Sequence, residues 1–221
     1  MGARRIINYG LAGILATALI VGVPKLAKAP LKNNEIVYSF YDEDFTKYLD
    51  MNTLPFENDI EKLKEETKLT LSKWRSEKFV NEYYNTYEGH FEKERTQAHI
   101  YQESAGKKNA TSSKGAEGLM QLLKPTWEWH EPEKDFEKYA HNPLVNIDVG
   151  LKSLKWFENY CEKNCPFWDK IGEIGKIKIV SACYNGGQQA LKDAGWDISK
   201  MSEETREYAA KVLWAYEKLR D

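Results

Sequence analysis

Glu103 is the residue around which chemistry can be imagined in this chain. It stands at the end of a plausible helix, directly before Ser104. A polar loop follows and closes in Ser112-Ser113-Lys114-Gly115-Ala116-Glu117-Gly118. A short apolar segment, Leu119-Met120-Gln121-Leu122-Leu123, then carries a single amide before Pro125-Thr126-Trp127. A lone carboxylate facing a tight loop can pass a proton to a bound substrate. The negative end of a helix dipole disfavours ionisation in the last turn, and burial in an apolar cleft disfavours it further. Both effects raise the pKa, as a general acid working near neutral pH requires.

Histidine and cysteine patterns offer less. His99 lies four residues before Glu103 on the same helical face, but a metal site needs at least a third ligand and supporting partners. His90, His130 and His141 show no ligand spacing, so no metal and no cofactor is expected. Cys161 and Cys165 are four apart and could bridge in an oxidising compartment; buried or free thiols are the plainer expectation for them and for Cys183.

The elements that must hold Glu103 can be read from periodicity. A helix over His90 to Glu103 presents Phe91, Ala98 and Tyr101 inward, and Gly106 stops it. Pro125 suits the first turn of a short helix through Trp129. Asn142-Pro143 opens another, with Ile147, Leu151, Leu154, Phe157 and Cys161 at helical spacing. Ile174 to Tyr184 is apolar and stops at Gly186-Gly187. Ser202 can cap a last helix whose apolar stripe is Tyr208, Val212, Leu213, Tyr216 and Leu219.

These stretches together resemble the SLT-type lytic transglycosylases, relatives of goose-type lysozyme that cleave peptidoglycan. The matching residues are Glu103-Ser104, Ala110-Thr111-Ser112, Gly115 through Gln121, and Thr126-Trp127. Further along come Asn142-Pro143, Asn146-Ile147, Gly150 and Leu154, then Cys183-Tyr184-Asn185-Gly186-Gly187, then Glu204-Thr205 with Tyr208 and Lys211-Val212. The likeness runs from Ala98 to Leu219. Gly106 replaces a usual aromatic, Lys124 a usual proline, and Cys183 and Gly186 usual alanines; at Gly106 the expectation is a cleft wall reshaped or supplied by residues 57–87.

The resemblance implies a mainly α, lysozyme-like fold with at most a small β element around residues 107–117. It implies that Glu103 protonates the glycosidic oxygen between N-acetylmuramic acid and N-acetylglucosamine, then acts as base while the C6 hydroxyl closes a 1,6-anhydro ring. By the same likeness Ser112 and Gln121 would hydrogen-bond the sugar and Leu123 would form a wall. Tyr184 would point its hydroxyl at Glu103 or the substrate, Asn185 would line the floor, Glu204 would lie near the saccharide, and Tyr208 would pack behind the catalytic helix. Ser104 supports. Most glycosidases use a second carboxylate; Glu117 and Asp148 are candidates that neither family nor spacing favours. Alternatives are a hydrolytic muramidase and a non-catalytic, membrane-tethered glycan-binding protein.

Composition narrows the setting. Residues 1–32 hold five basic residues and no acid. The remainder has 27 basic against 34 acidic residues, a net of −7. An acidic body argues against nucleic acid as a partner. Ile6 to Val23 runs 18 residues without a charge behind a basic start, nearly long enough to cross a bilayer. Ala27-Lys28-Ala29 offers a cleavage-like spacing, but Pro30 would follow the cut, so an uncleaved anchor is favoured over a signal peptide. The expected organisation is therefore 1–29 basic start and transmembrane segment, 30–87 tether and charged accessory helix, and 88–221 catalytic domain, exported to the wall side of the inner membrane. Oligomeric state leaves no trace in the sequence.

Overall fold

A computed structural model describes the backbone of residues 57–220, with side chains from residue 64 onward. The expected transmembrane segment and most of the tether lie outside the described residues. Within them, no helix is long and apolar enough to cross a membrane.

The described chain is helical. Helix α1 spans Glu57–Thr86, α2 Lys93–Ser104, α3 Lys124–His130, α4 Phe136–Tyr139, α5 Pro143–Asn164, α6 Glu173–Gly186, α7 Gln188–Asp193 and α8 Glu203–Arg220. Single 3-10 turns occur at Trp168–Lys170 and Ile198–Lys200. The expected β element is present only as two isolated antiparallel bridges, Thr111 with Glu117 and Glu117 with Leu122. A division falls between Leu71 and Ser72. The unit from Ser72 onward takes in the latter half of α1 and everything after it, and the site lies wholly there.

Local chemistry sets the helix ends. The Asn142 side chain accepts hydrogen bonds from the Leu144 and Val145 amides at 3.1 and 3.2 Å, and Pro143 fills the first position of α5. Ser202 accepts from the Thr205 amide at the start of α8. Helix α2 begins at Lys93, three residues later than the sequence pattern suggests, so Phe91 packs from the preceding turn. It ends through Ala105 at φ 50° and Gly106 at φ 75°, both left-handed.

Helix α8 packs against α2 and α6, and α6 packs against α5. Ile147, Leu151, Leu154, Leu119, Met120, Trp127, Val180 and Ala182 are fully buried in one apolar core. Helix α2 is therefore held between a core and the closing helix, which fixes where its last turn points. Behind it, the Arg95 guanidinium lies over the Phe91 ring at 4.2 Å and pairs with Glu158 at 3.2 Å.

The glycine at position 106 has a structural reason. A Cβ there would lie 2.4 Å from the Ser72 carbonyl oxygen and 2.9 Å from the Arg75 Cβ. Arg75 also donates to the Ala105 carbonyl at 3.3 Å. Where the family places an aromatic, this chain brings in the backbone of α1.

Candidate active site

Glu103 occupies the last turn of α2, half-buried. The Tyr208 hydroxyl, reaching across from α8, donates to its Oε1 at 2.5 Å. Burial pushes the Glu103 carboxyl up to about 8, and the Tyr208 hydrogen bond opposes that only in part. The group keeps an accessible edge yet lacks a compensating cation, so it remains protonated at neutral pH. Burial also drives Tyr208 and Tyr184 well above the ordinary phenol range, with Glu103 adding to both shifts. Neither phenol ionises in the working range; both act as neutral donors.

Tyr208 does more than pack behind α2: it is the residue bonded to the acid. Tyr184 takes a different partner from the expected one. Its hydroxyl donates to the Met120 carbonyl at 2.8 Å. It sits close enough to Glu103 to be raised by it, but its bond fastens the loop that faces the acid.

That loop is held from several sides. The buried Asn146 amide accepts from the Met120 amide at 2.7 Å and donates to the Glu117 and Ala140 carbonyls at 3.0 and 2.8 Å. A Cβ at position 118 would meet Asn146 Nδ2 at 2.2 Å and the Ala140 carbonyl at 2.4 Å, and Gly118 has φ 80°. Only glycine lets the loop descend onto that amide.

Gln121 was expected to bind sugar, but its Nε2 donates to the Ala110 and Gly118 carbonyls at 3.1 and 3.0 Å. Its backbone has φ 46°, a left-handed conformation that glutamine rarely adopts. The amide nitrogen is thus part of the loop's own bracing. Ser112 Oγ accepts from the Lys114 and Ala116 amides at 3.3 and 3.0 Å, which leaves its hydroxyl proton to donate elsewhere.

The remaining expected residues are dispersed. Leu123 is 42% exposed and can offer an apolar wall. Asn185 Oδ1 accepts from Thr205 Oγ1 at 2.9 Å, linking the end of α6 to α8. Glu204 is exposed in the first turn of α8. Ser104 is buried, and its hydroxyl turns back to the Ile100 carbonyl at 3.2 Å. No hydrogen bond or ion pair among the described residues joins Ser112, Leu123 or Glu204 to Glu103.

The candidate second carboxylates are both engaged elsewhere. Glu117 pairs with His141 at 3.0 Å. Asp148 pairs with Lys152 at 2.9 Å and accepts from Tyr83 at 3.1 Å. No other acidic group perturbs Glu103 among the described residues. No cluster of three potential metal ligands occurs among them either. His99, fully buried, instead lies 3.2 Å from the Tyr208 hydroxyl through Nδ1. Its spacing from Glu103 was visible in the sequence; its partner, 109 residues away, was not.

The cysteines follow the plainer expectation of buried or free thiols. Cys161 meets Cys183, with the sulfurs 3.4 Å apart, rather than Cys165. All three are buried free thiols.

A family model, the transglycosylase SLT domain, matches residues 83–208. No curated protein matches the chain.

Proposed function

Because the chain belongs to the transglycosylase SLT domain family, whose members cleave peptidoglycan, we propose that it is a lytic transglycosylase acting on the β-1,4 bond between N-acetylmuramic acid and N-acetylglucosamine. The observation that supports this most is the Glu103 carboxyl, held protonated by burial and touched, among the described residues, by a single neutral donor. Such a group can protonate the leaving glycosidic oxygen and, once ionised, recover a proton from the attacking hydroxyl.

Among the described residues no second carboxylate perturbs Glu103, which favours an internal nucleophile. Glycosidases with two carboxylates use the second to attack or to activate water. Here the sugar supplies the nucleophile. The acetamido group assists departure of the leaving group, and the C6 oxygen then bonds to C1, forming the 1,6-anhydro ring. Its proton passes to the Glu103 carboxylate, which restores the acid. Tyr208 stabilises the ionised intermediate state of Glu103. Ser112 and Asn185 polar groups and the Leu123 side chain are assigned to sugar contact; Glu204 borders the strand.

The uncharged run Ile6 to Val23 behind a basic start supports an inner-membrane anchor with the catalytic unit on the wall side. Separation of membranes from soluble protein in cells making the full chain tests this: the protein should pellet with membranes and leave them only in detergent. Mass spectrometry of digested peptidoglycan tests the chemistry. Anhydro ends carry the proposal; reducing ends would assign the chain to water-driven hydrolysis.

A further inference from the structure

A buried imidazole stands behind the acid and has no place in the reaction as described above. His99 is fully buried in α2. Its Nδ1 lies 3.2 Å from the Tyr208 hydroxyl oxygen, which in turn lies 2.5 Å from Glu103 Oε1. The ring is wedged between Tyr184 and Tyr208, with centroid separations of 5.6 and 6.2 Å. Its other nitrogen, Nε2, is buried without a partner among the described residues.

Three groups in a row share a fixed number of protons, and counting them decides which way the chain runs. In one arrangement Glu103 donates to Tyr208, Tyr208 donates to Nδ1, and the imidazole proton sits on Nε2. That leaves a buried N–H with no acceptor and turns the acid's proton away from the substrate. In the other, Nδ1–H donates to the Tyr208 oxygen and Tyr208 donates to Oε1. The imidazole and phenol hydrogens then both reach acceptors, a lone pair on Nε2 goes unmet, and the acid's own proton falls to Oε2. Unpaired buried N–H groups are the costlier and rarer defect.

We propose that His99 is a positioning residue: by donating from Nδ1 to Tyr208 it locks that hydroxyl as a donor to Oε1, and so places the transferable proton of Glu103 on Oε2. The inference rests on Glu103 being the acid. The groups against the ring are Arg95 on its own helix, Tyr208 on α8 and Tyr184 on α6, with Glu103 reached through the Tyr208 hydroxyl. Burial, with Arg95 adding to it, depresses the imidazole to about 3, so it stays neutral wherever the enzyme works. A neutral ring has one N–H, and its location is therefore a real choice. Hydrogen bonds in a chain also polarise one another, so the Nδ1 donor strengthens the bond that Tyr208 makes to Glu103.

The direct test is the tautomer itself, read by nitrogen NMR on the full chain with labelled histidine. The chain has four histidines, and His99→Asn identifies the signal. The proposal expects a neutral ring protonated at Nδ1 at pH 6, against the usual solution preference. A ring protonated at Nε2, or a charged one, overturns it.

Kinetics supply the second arm. His99→Phe keeps a ring but no donor. It should lower kcat roughly tenfold with KM little changed. It should also move the alkaline limb of kcat/KM to higher pH, because the Glu103 carboxylate has lost part of its stabilisation. His99→Asn, which restores a donor near the Nδ1 position, should recover part of kcat and return the limb towards its original place. A folded His99→Phe enzyme with unchanged kcat and limb overturns the role; if that variant fails to fold, the tautomer decides. The two readings fail separately. An active Glu103→Gln enzyme removes the acid, whatever the tautomer. An Nε2-protonated ring in an enzyme that Glu103→Gln abolishes removes only His99.

Discussion

At the residue scale the account concerns where one proton sits. Glu103 is raised to about 8 in the folded chain against an ordinary value of 4.5. The native state thus binds a proton that the unfolded chain has released between those values, so ionising Glu103 costs stability as pH rises from about 4.5 through 8. Glu103→Gln removes the cost. Melting curves should show the variant more stable than the parent by roughly 4 kcal/mol at pH 8.5 and level with it at pH 4. Equal differences at both pH values would contradict a burial-raised carboxyl. Tyr208→Phe deletes the neutral donor to Oε1. It should slow turnover by one to two orders of magnitude and shift the alkaline limb of kcat/KM upward. A downward shift would mean that Tyr208 favours the protonated acid instead. His99 has the opposite linkage: held near 3 when folded, it takes up a proton on unfolding below 6.5, so it contributes to loss of stability on acidification.

At the element scale the decisive piece is the loop between α2 and α3, which has almost no secondary structure of its own. Its bracing comes from Asn146 on α5, Tyr184 on α6 and the Gln121 side chain. Asn146→Ala strands the Met120 amide and the Ala140 carbonyl together and leaves the Glu117 carbonyl only its bond from the Leu122 amide. Urea denaturation should show a loss of about 3 kcal/mol or more. Gly118→Ala combines a left-handed backbone with a Cβ 2.2 Å from Asn146, and should cost roughly as much. A loss below about 1 kcal/mol for both would show that the loop is held by other means. The sequence exposed the helices around this loop well. Caps such as Asn142-Pro143 and stripes such as that of α8 are local patterns, and local patterns survive in one dimension. The loop's partners did not show, because a hydrogen bond from position 146 to position 120 leaves no periodic trace. Family likeness therefore assigned Gln121 and Tyr184 to the substrate, whereas their hydrogen bonds brace the loop.

At the scale of the whole molecule, the family match begins at residue 83, but the packing of the catalytic unit begins earlier. Ser72 and Arg75 close over Gly106, the position that departs from the family most plainly. A chain starting near residue 72 should fold cooperatively and cut peptidoglycan. One starting at residue 83 exposes the left-handed end of α2 and should melt lower or aggregate. Equal melting of the two would make the α1 contact incidental. The thiols report on the same packing. Burial raises the Cys161 and Cys165 thiols, and the contact with Cys183 raises Cys161 most of all. A thiol reagent should titrate none of the three in the native protein and all three after unfolding. All three stay free thiols, the plainer expectation; the approach of Cys161 to Cys183 comes from the crossing of α5 and α6, a tertiary fact that spacing alone does not encode.

The most direct measurement is the set of muropeptides released from purified peptidoglycan by the parent chain and by Glu103→Gln, compared by mass spectrometry. The account predicts products ending in 1,6-anhydro-N-acetylmuramic acid from the parent and none from the variant, with both proteins folded. Anhydro products from the Glu103→Gln chain at the parent's rate would contradict it.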